Sequence, residues 1–277
     1  MSNKLDKNRS LIIIYIFLGL GVLVTVVPFI WMFLTSIKTY EQAIAVPPII
    51  LPEKAHWINY LIIMEKFPFI TLYINTIVVI VCVIIGQLII SSLAAYAFAR
   101  LNFPAKDFLF LMILALLMIP SQIFLIPHYK IMIWLKSTDT LRALIMPSLF
   151  NAFGVFMLRQ FYMSIPKSLD EAATIDGCSY FRIYSQILLP LLKPGLVSLS
   201  IITALNTWKA LMWPLIVNRS IEKMTLSAGL GLLIGEHTTY YEQVMAGGVI
   251  SVFPMLIIFV IFQKNIVEGI ANTGIKN

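Results

Sequence analysis

The stretch Ser168–Pro190 reads SLDEAATIDGCSYFRIYSQILLP. It is a polar interval between two long apolar runs, and its punctuation is that of a short helix with a firm stop. Ser168, Leu169, Asp170 and Glu171 have the form of a capping box, in which the serine hydroxyl takes the Glu171 N–H and the Glu171 carboxylate reaches back. Asp170 and Glu171 also complement the positive end of a helix dipole. Gly177 suits the left-handed position that closes a helix, so the spacing predicts about two turns from Leu169 to Asp176. Leu169, Ala172, Ala173 and Asp176 recur at three and four and fall near one face. Two alanines would make that face shallow, so that a partner surface could reach the backbone. Ser179 is placed to cap a second helix through Tyr180, Phe181, Ile183, Tyr184, Ile187 and Leu188, after which Pro190 and Pro194 turn the chain. So short a helix is marginal in water by itself, and packing must hold it.

The flanking sequence is that of a membrane protein. Of 277 residues, 60 % are apolar and only 12 % charged, with a mean hydropathy of +0.91, whereas a soluble chain carries roughly 25 % charged residues. Six segments are long enough to cross a bilayer: about 11–34, 72–98, 108–126, 141–161, 191–217 and 244–262. Backbone polar groups in lipid must pair within their own segment, so these read as helices. Nothing alternates as barrel strands would, and the fold class is all-α, polytopic, in a single domain over 1–277. Lys4, Lys7 and Arg9 ahead of the first run, which ends in Trp31-Met-Phe-Leu34, indicate a retained helix rather than a cleaved signal.

The net charge of +7 is scattered among apolar runs rather than gathered in a stripe with aromatics, which excludes nucleic acid and points to topology. With the N-terminus inside, inner segments hold eleven Lys and Arg and outer loops eight. That bias, with the cluster before the first helix, places both termini in the cytoplasm. The 162–190 interval is then cytoplasmic, while 35–70, with a short surface helix, and 218–243 lie outside. Cys82 and Cys178 have no metal-ligand company and are not expected to pair.

The string Glu171-Ala172-Ala173, Gly177, Ile187, Leu189, Pro190 resembles the signature of the permease subunits of binding-protein-dependent ABC importers, in the carbohydrate branch that includes the maltose permease G-type subunit. Ala94-Tyr-Ala-Phe-Ala-Arg100, Met118-Ile-Pro120, Leu158-Arg-Gln-Phe161, Thr225-Leu226 and Met245-Ala-Gly247 also resemble that branch, so the likeness covers nearly the whole chain. The resemblance implies a type I importer permease fold and a helix over 168–177 that sits in a cleft of a cytoplasmic ATPase subunit. It implies that Ser168, Asp170, Glu171, Ala172, Ala173, Asp176, Gly177, Ile187, Leu189 and Pro190 serve that coupling. Implied partners are a second, non-identical permease, two ATPases and an extracytoplasmic sugar-binding protein, contacted through 218–243. The solute implied is a sugar, an oligosaccharide in this branch.

Ionisable groups inside a membrane helix mark function by default. Lys209 is the one well inside a span, about 12 Å from Val217 by helix rise. Asn206, Lys209 and Trp213 share a face at three and four, with Trp208 beside it. Such a set suits a polar solute: a ring stacks on the apolar face of a sugar while amide and ammonium bond its hydroxyls, and lysine also suits an anion. The alternative is that Lys209 pairs with a helix carbonyl or with a carboxylate of the partner permease, the tryptophans belonging to the interfacial belt. The branch carries an acidic residue after its Trp-Asn pair where this chain has Trp208-Lys209-Ala210. Asn75 and Thr76 are further pathway candidates, whereas Gln87, Ser91 and Ser92 are expected to bond between helices.

His56, His128 and His237 stand alone in outer segments, so no metal site is expected. A nucleotide-binding Gly-rich loop is absent, so ATP hydrolysis falls to partner subunits and no cofactor is called for. A secondary transporter or channel is the alternative, and it would show intramembrane carboxylates or an internal repeat. Neither is present, nor is there a convergent set of catalytic groups.

Overall fold

The computed structural model describes residues 2–234 and 239–274, and no strand occurs among them. His237 lies outside the described residues. In chain order the principal helices are α1 (Ser2–Ser36), α2 (Phe69–Arg100), α3 (Lys106–Leu116), α4 (Leu125–Trp134), α5 (Leu141–Ile145), α6 (Ala152–Ser164), α7 (Ser168–Ile175), α8 (Lys193–Trp208), α9 (Met212–Val217) and α10 (Tyr241–Gly274).

Two stretches are unbroken, long and apolar enough to cross a membrane, Ile14–Ser36 of α1 and the whole of α2. The expected spans at 108–126, 141–161 and 191–217 are each interrupted, and the sequence names the cause. Pro120 offers no N–H and holds Ile119 out of the helical region, so Lys106–Leu116 and Ser121–Trp134 meet at 97°. Asn151 ends one piece and begins α6: its Oδ1 accepts the N–H of Phe153 at 2.9 Å and of Gly154 at 3.4 Å, and the two pieces meet at 44°. Between Pro190 and Pro194 the chain turns by 74° at Leu192, then stops again at Lys209–Leu211 before α9. Counting each bent pair as one span gives up to five among the described residues. The expected segment 244–262 falls within α10.

The chain forms two compact units, Met1–Phe67 with Leu230–Leu256 and Pro68–Gly229 with Ile257–Asn277. In the first, the window of α1 that qualifies as a span buries none of its residues within this chain. An apolar helix left uncovered on all sides belongs in lipid or against a partner. Its end is tied down by Asn59, whose amide donates to Ser36 O (2.9 Å) and Lys38 O (2.8 Å), and the Lys38 ammonium lies 4.3 Å from the Trp31 ring centroid.

In the second unit α2 packs most extensively on α6 and then on α8. Small residues make the approach possible. A Cβ at Gly154 would stand 2.8 Å from Ser91 Oγ and 3.2 Å from both Leu199 δ-methyls. Polar ties join α2 to its neighbours through Gln87 and Ser92 as expected, whereas the Ser91 hydroxyl is buried without a hydrogen-bond partner among the described residues. Gln87 Nε2 donates to Ser148 O (2.7 Å) while its Oε1 accepts the Thr203 hydroxyl (2.8 Å). The Ser92 and Tyr184 hydroxyls bond at 2.9 Å.

Candidate functional site

Helix α7 forms where the sequence places it, but its first turn is built differently. The Ser168 capping box is not made. The helix begins one residue earlier, with Lys167 as N-cap and no side-chain bond to the first turn. Pro166 O accepts the Leu169 N–H (3.4 Å), and Lys167 O accepts those of Asp170 (2.9 Å) and Glu171 (3.1 Å). Ser168 is already helical, so its hydroxyl no longer precedes the turn it was expected to cap. Asp170 looks inward: its Oδ2 lies 3.0 Å from Arg100 Nε, at the end of α2. The approach is ionic without hydrogen-bond alignment, and Arg100 Nη2 donates separately to Ile165 O at 2.7 Å. Burial raises the Asp170 carboxyl above its ordinary value, with the Arg100 charge opposing. One guanidinium thus holds both the chain entering α7 and α7 itself.

The far end of α7 matches expectation. Gly177 has φ +76°, its N–H donates to Thr174 O (3.0 Å) and the Cys178 N–H to Ala173 O (2.9 Å), which is the Schellman closure. The common face proposed for Leu169, Ala172, Ala173 and Asp176 is corrected. Ala173 is buried, 5 % exposed, in a core with Tyr96, Leu158, Tyr162 and Leu188, whereas the other three are exposed. Adjacent residues diverge by about 100° on a helix, so Asp170 and Ala173 make the inner face. Ser168, Leu169, Glu171, Ala172 and Ile175 make the outer one, with Ile175 86 % exposed.

Ser179 caps the next turn, its Oγ accepting the Arg182 N–H at 3.4 Å. The chain then runs as a π-helix over Ile183–Leu188. Ile183, Tyr184 and Leu188 are buried there, and Ile187 and Leu189 pack half-buried on the same core. Pro190 is exposed at the turn. Tyr96 donates its hydroxyl to Tyr180 O (3.1 Å). α7 is therefore carried on a rigid seat formed by α2, α6 and the π-helical turn.

A second candidate region is a cavity of about 710 Å³, within the roughly 300–1,000 Å³ of ligand pockets. It opens where three helix breaks converge: Ser121 and Gln122 after Pro120, Asn151 at the start of α6, and Lys209–Leu211 between α8 and α9. Asn206, Lys209 and Trp213 all line it, but not as one helical face: α8 ends at Trp208, Lys209 stands at the break rather than well inside a span, and Trp213 belongs to α9. Trp213 is anchored by its indole N–H on Ala143 O (2.9 Å) and meets the His128 ring edge-on, centroids 5.9 Å apart. Two expected members are used elsewhere. Asn75 is buried and its amide donates to Glu222 O (2.8 Å) and Met224 O (2.9 Å); Trp208 is buried against Tyr73, centroids 6.3 Å apart, and is absent from the lining. Gln122, His128 and Asn151 join the cavity although helical spacing did not group them with it.

A polytopic chain with a short helix seated on its longest span and a cavity with a few polar groups at its helix breaks has the features of a solute permease. It belongs to the family of binding-protein-dependent transport system inner membrane components, whose model it matches over residues 87–272. It is a multi-pass membrane transport subunit, not an enzyme. It is 36 % identical over 202 residues, 73 % of its length and 72 % of the relative's, to the arabinooligosaccharides transport system permease protein AraQ of Halalkalibacterium halodurans. It is 31 % identical over 282 residues, 97 % of its length and 98 % of the relative's, to the sn-glycerol-3-phosphate transport system permease protein UgpE of Brucella suis. A chain in the crystal structure of a bacterial ABC transporter involved in the import of the acidic polysaccharide alginate superposes with TM-score 0.78 at 25 % identity, covering 91 % of this chain and 95 % of that one.

Proposed function

We propose that this chain is one of two non-identical permease subunits of an ATP-driven importer that brings a carbohydrate into the cell. It acts as one six-span transmembrane domain with both termini in the cytoplasm. Two cytoplasmic ATPases drive it, α7 is the element they grip, and an extracytoplasmic sugar-binding protein delivers the solute. The observation that carries this reading is α7 itself: its outer residues are exposed and uncovered within this chain, while its inner residues are fixed by Arg100 and the core beneath. A helix anchored behind and bare in front passes displacement on rather than absorbing it. The relatives named for arabino-oligosaccharides, glycerol phosphate and alginate support a carbohydrate or sugar-derived solute.

The test uses the complete transporter in vesicles. Binding protein loaded with its sugar should stimulate ATP hydrolysis, and a cysteine at Ala172 should cross-link to the ATPase. Uptake that continues without ATP on a cation gradient alone, or an Ala172→Cys that labels freely from solvent and captures no ATPase, would refute the proposal.

A further inference from the structure

The cavity described above carries one ionised side chain and no opposing one. Lys209 is exposed on its wall, and no Asp or Glu appears among the residues that line it. Lys209 makes no ion pair with any described residue. Its position at the end of α8 sets it against the negative pole of that helix, worth about half an elementary charge, so the ammonium leaves the wall net positive. An exposed ammonium with no carboxylate beside it is held by water and the helix end, and is free to pair with an anion that enters.

The rest of the lining suits a sugar. Trp213, its indole N–H already spent on Ala143 O, offers only ring surface to a solute. Gln122 and Asn206 line the same space with amide groups that can donate and accept, and neither makes a side-chain hydrogen bond with a described residue. Ring, amides and ammonium together match a molecule with an apolar ring face, hydroxyls and one acidic group. We infer that this cavity is a transit site for a carbohydrate bearing a negative charge, carboxylate or phosphate, with Lys209 as the residue that selects it. The inference rests on the importer reading and names its solute class.

The complete transporter in vesicles, supplied with ATP, is offered three probes: a uronic-acid trisaccharide, a neutral trisaccharide of the same length and a sugar phosphate. Uptake of one or both anions should exceed that of the neutral sugar, and which anion dominates separates carboxylate from phosphate. The anion-to-neutral uptake ratio should fall by about tenfold or more in Lys209→Gln, the effect of losing one charged hydrogen bond, and Lys209→Arg should restore it. Asn206→Asp, which adds a carboxylate to the same wall, should lower the ratio as well and serves if Lys209→Gln fails to assemble. Because the readout is a ratio, a general loss of rate cancels. A wild type that prefers the neutral sugar, or an unchanged ratio in Lys209→Gln and Asn206→Asp, would overturn the inference alone. A parallel fall in both uptakes would assign Lys209 to a contact within the assembly and likewise overturn it. Failure of ATP to drive uptake of any probe would remove the importer reading and the inference together.

Discussion

Gly177→Val isolates the closure of α7. A Cβ at this position meets nothing within 4 Å, so crowding contributes nothing and the whole effect is in the backbone. Two routes are open to valine. It can hold φ near +76°, at the roughly 1–2 kcal/mol that left-handed geometry costs an L residue, the β-branch adding to it. Or it can leave that region and give up the two bonds from the Gly177 and Cys178 N–H groups, each worth about 0.5–1.5 kcal/mol net. The cheaper route sets the cost, about 1–2 kcal/mol, which is roughly a tenfold fall in the closed population. Hydrogen exchange at the Cys178 amide reads this directly and should accelerate about tenfold, while sugar carried per ATP hydrolysed falls in the assembled transporter. Gly177→Asn, which tolerates the left-handed region, should retain most of both. Wild-type protection and coupling in Gly177→Val would show that the Schellman closure is not what stiffens the helix end.

The Arg100–Asp170 pair gives a pH signature. The Asp170 carboxyl is raised in the fold, chiefly by burial, so the stability it contributes is present below its unfolded value and lost as pH rises through the folded one. Arg100→Gln removes the opposing charge and raises that carboxyl further; melting of the purified complex should show a loss toward the lower end of roughly 3–5 kcal/mol at neutral pH, partly recovered as the pH is lowered. Asp170→Asn leaves a buried guanidinium that cannot discharge, and acidification should return nothing; identical pH profiles for the two variants would refute this account. Thr203→Val strips the donor from buried Gln87 Oε1 and should cost about 1–3 kcal/mol, read as a lower melting midpoint. Gly154→Ala drives a methyl to within 2.8 Å of Ser91 Oγ; overpacking of this kind costs typically about 1–3 kcal/mol, and an unshifted midpoint would mean that α2, α6 and α8 are free to part.

What is legible in the sequence is local or periodic. Helix α7, its glycine stop, the Ser179 cap and the turn near Pro190 and Pro194 depend on neighbours within a few residues. Asn206, Lys209 and Trp213 do meet at one cavity, but the helical spacing that grouped them is interrupted at Lys209–Leu211, and it is the break that brings them together. Sequence reasoning fails where a distant residue decides the outcome. Local pattern assigns Asp170 to its own helix end because Arg100, seventy positions earlier, leaves no mark nearby. The bond from Asn75 to the carbonyls of Glu222 and Met224 is invisible for the same reason. Gln122 and Asn151 do leave a signal: each follows a proline, Pro120 or Pro147, within a long apolar run. A polar side chain beside a break in a span is where backbone groups need water or protein rather than lipid, and the cavity lies there.

Helix α2 is an unbroken rod of 32 residues, about 48 Å from end to end at 1.5 Å per residue. Arg100 fastens one tip to Asp170, and Asn75, near the other, is clasped by the Glu222–Met224 backbone. Swinging such a rod by about 10° with one tip held would sweep the opposite tip through about 8 Å. On the importer reading, a displacement imposed through α7 at the Arg100 tip would be carried by this rod to the Glu222–Met224 backbone at the other.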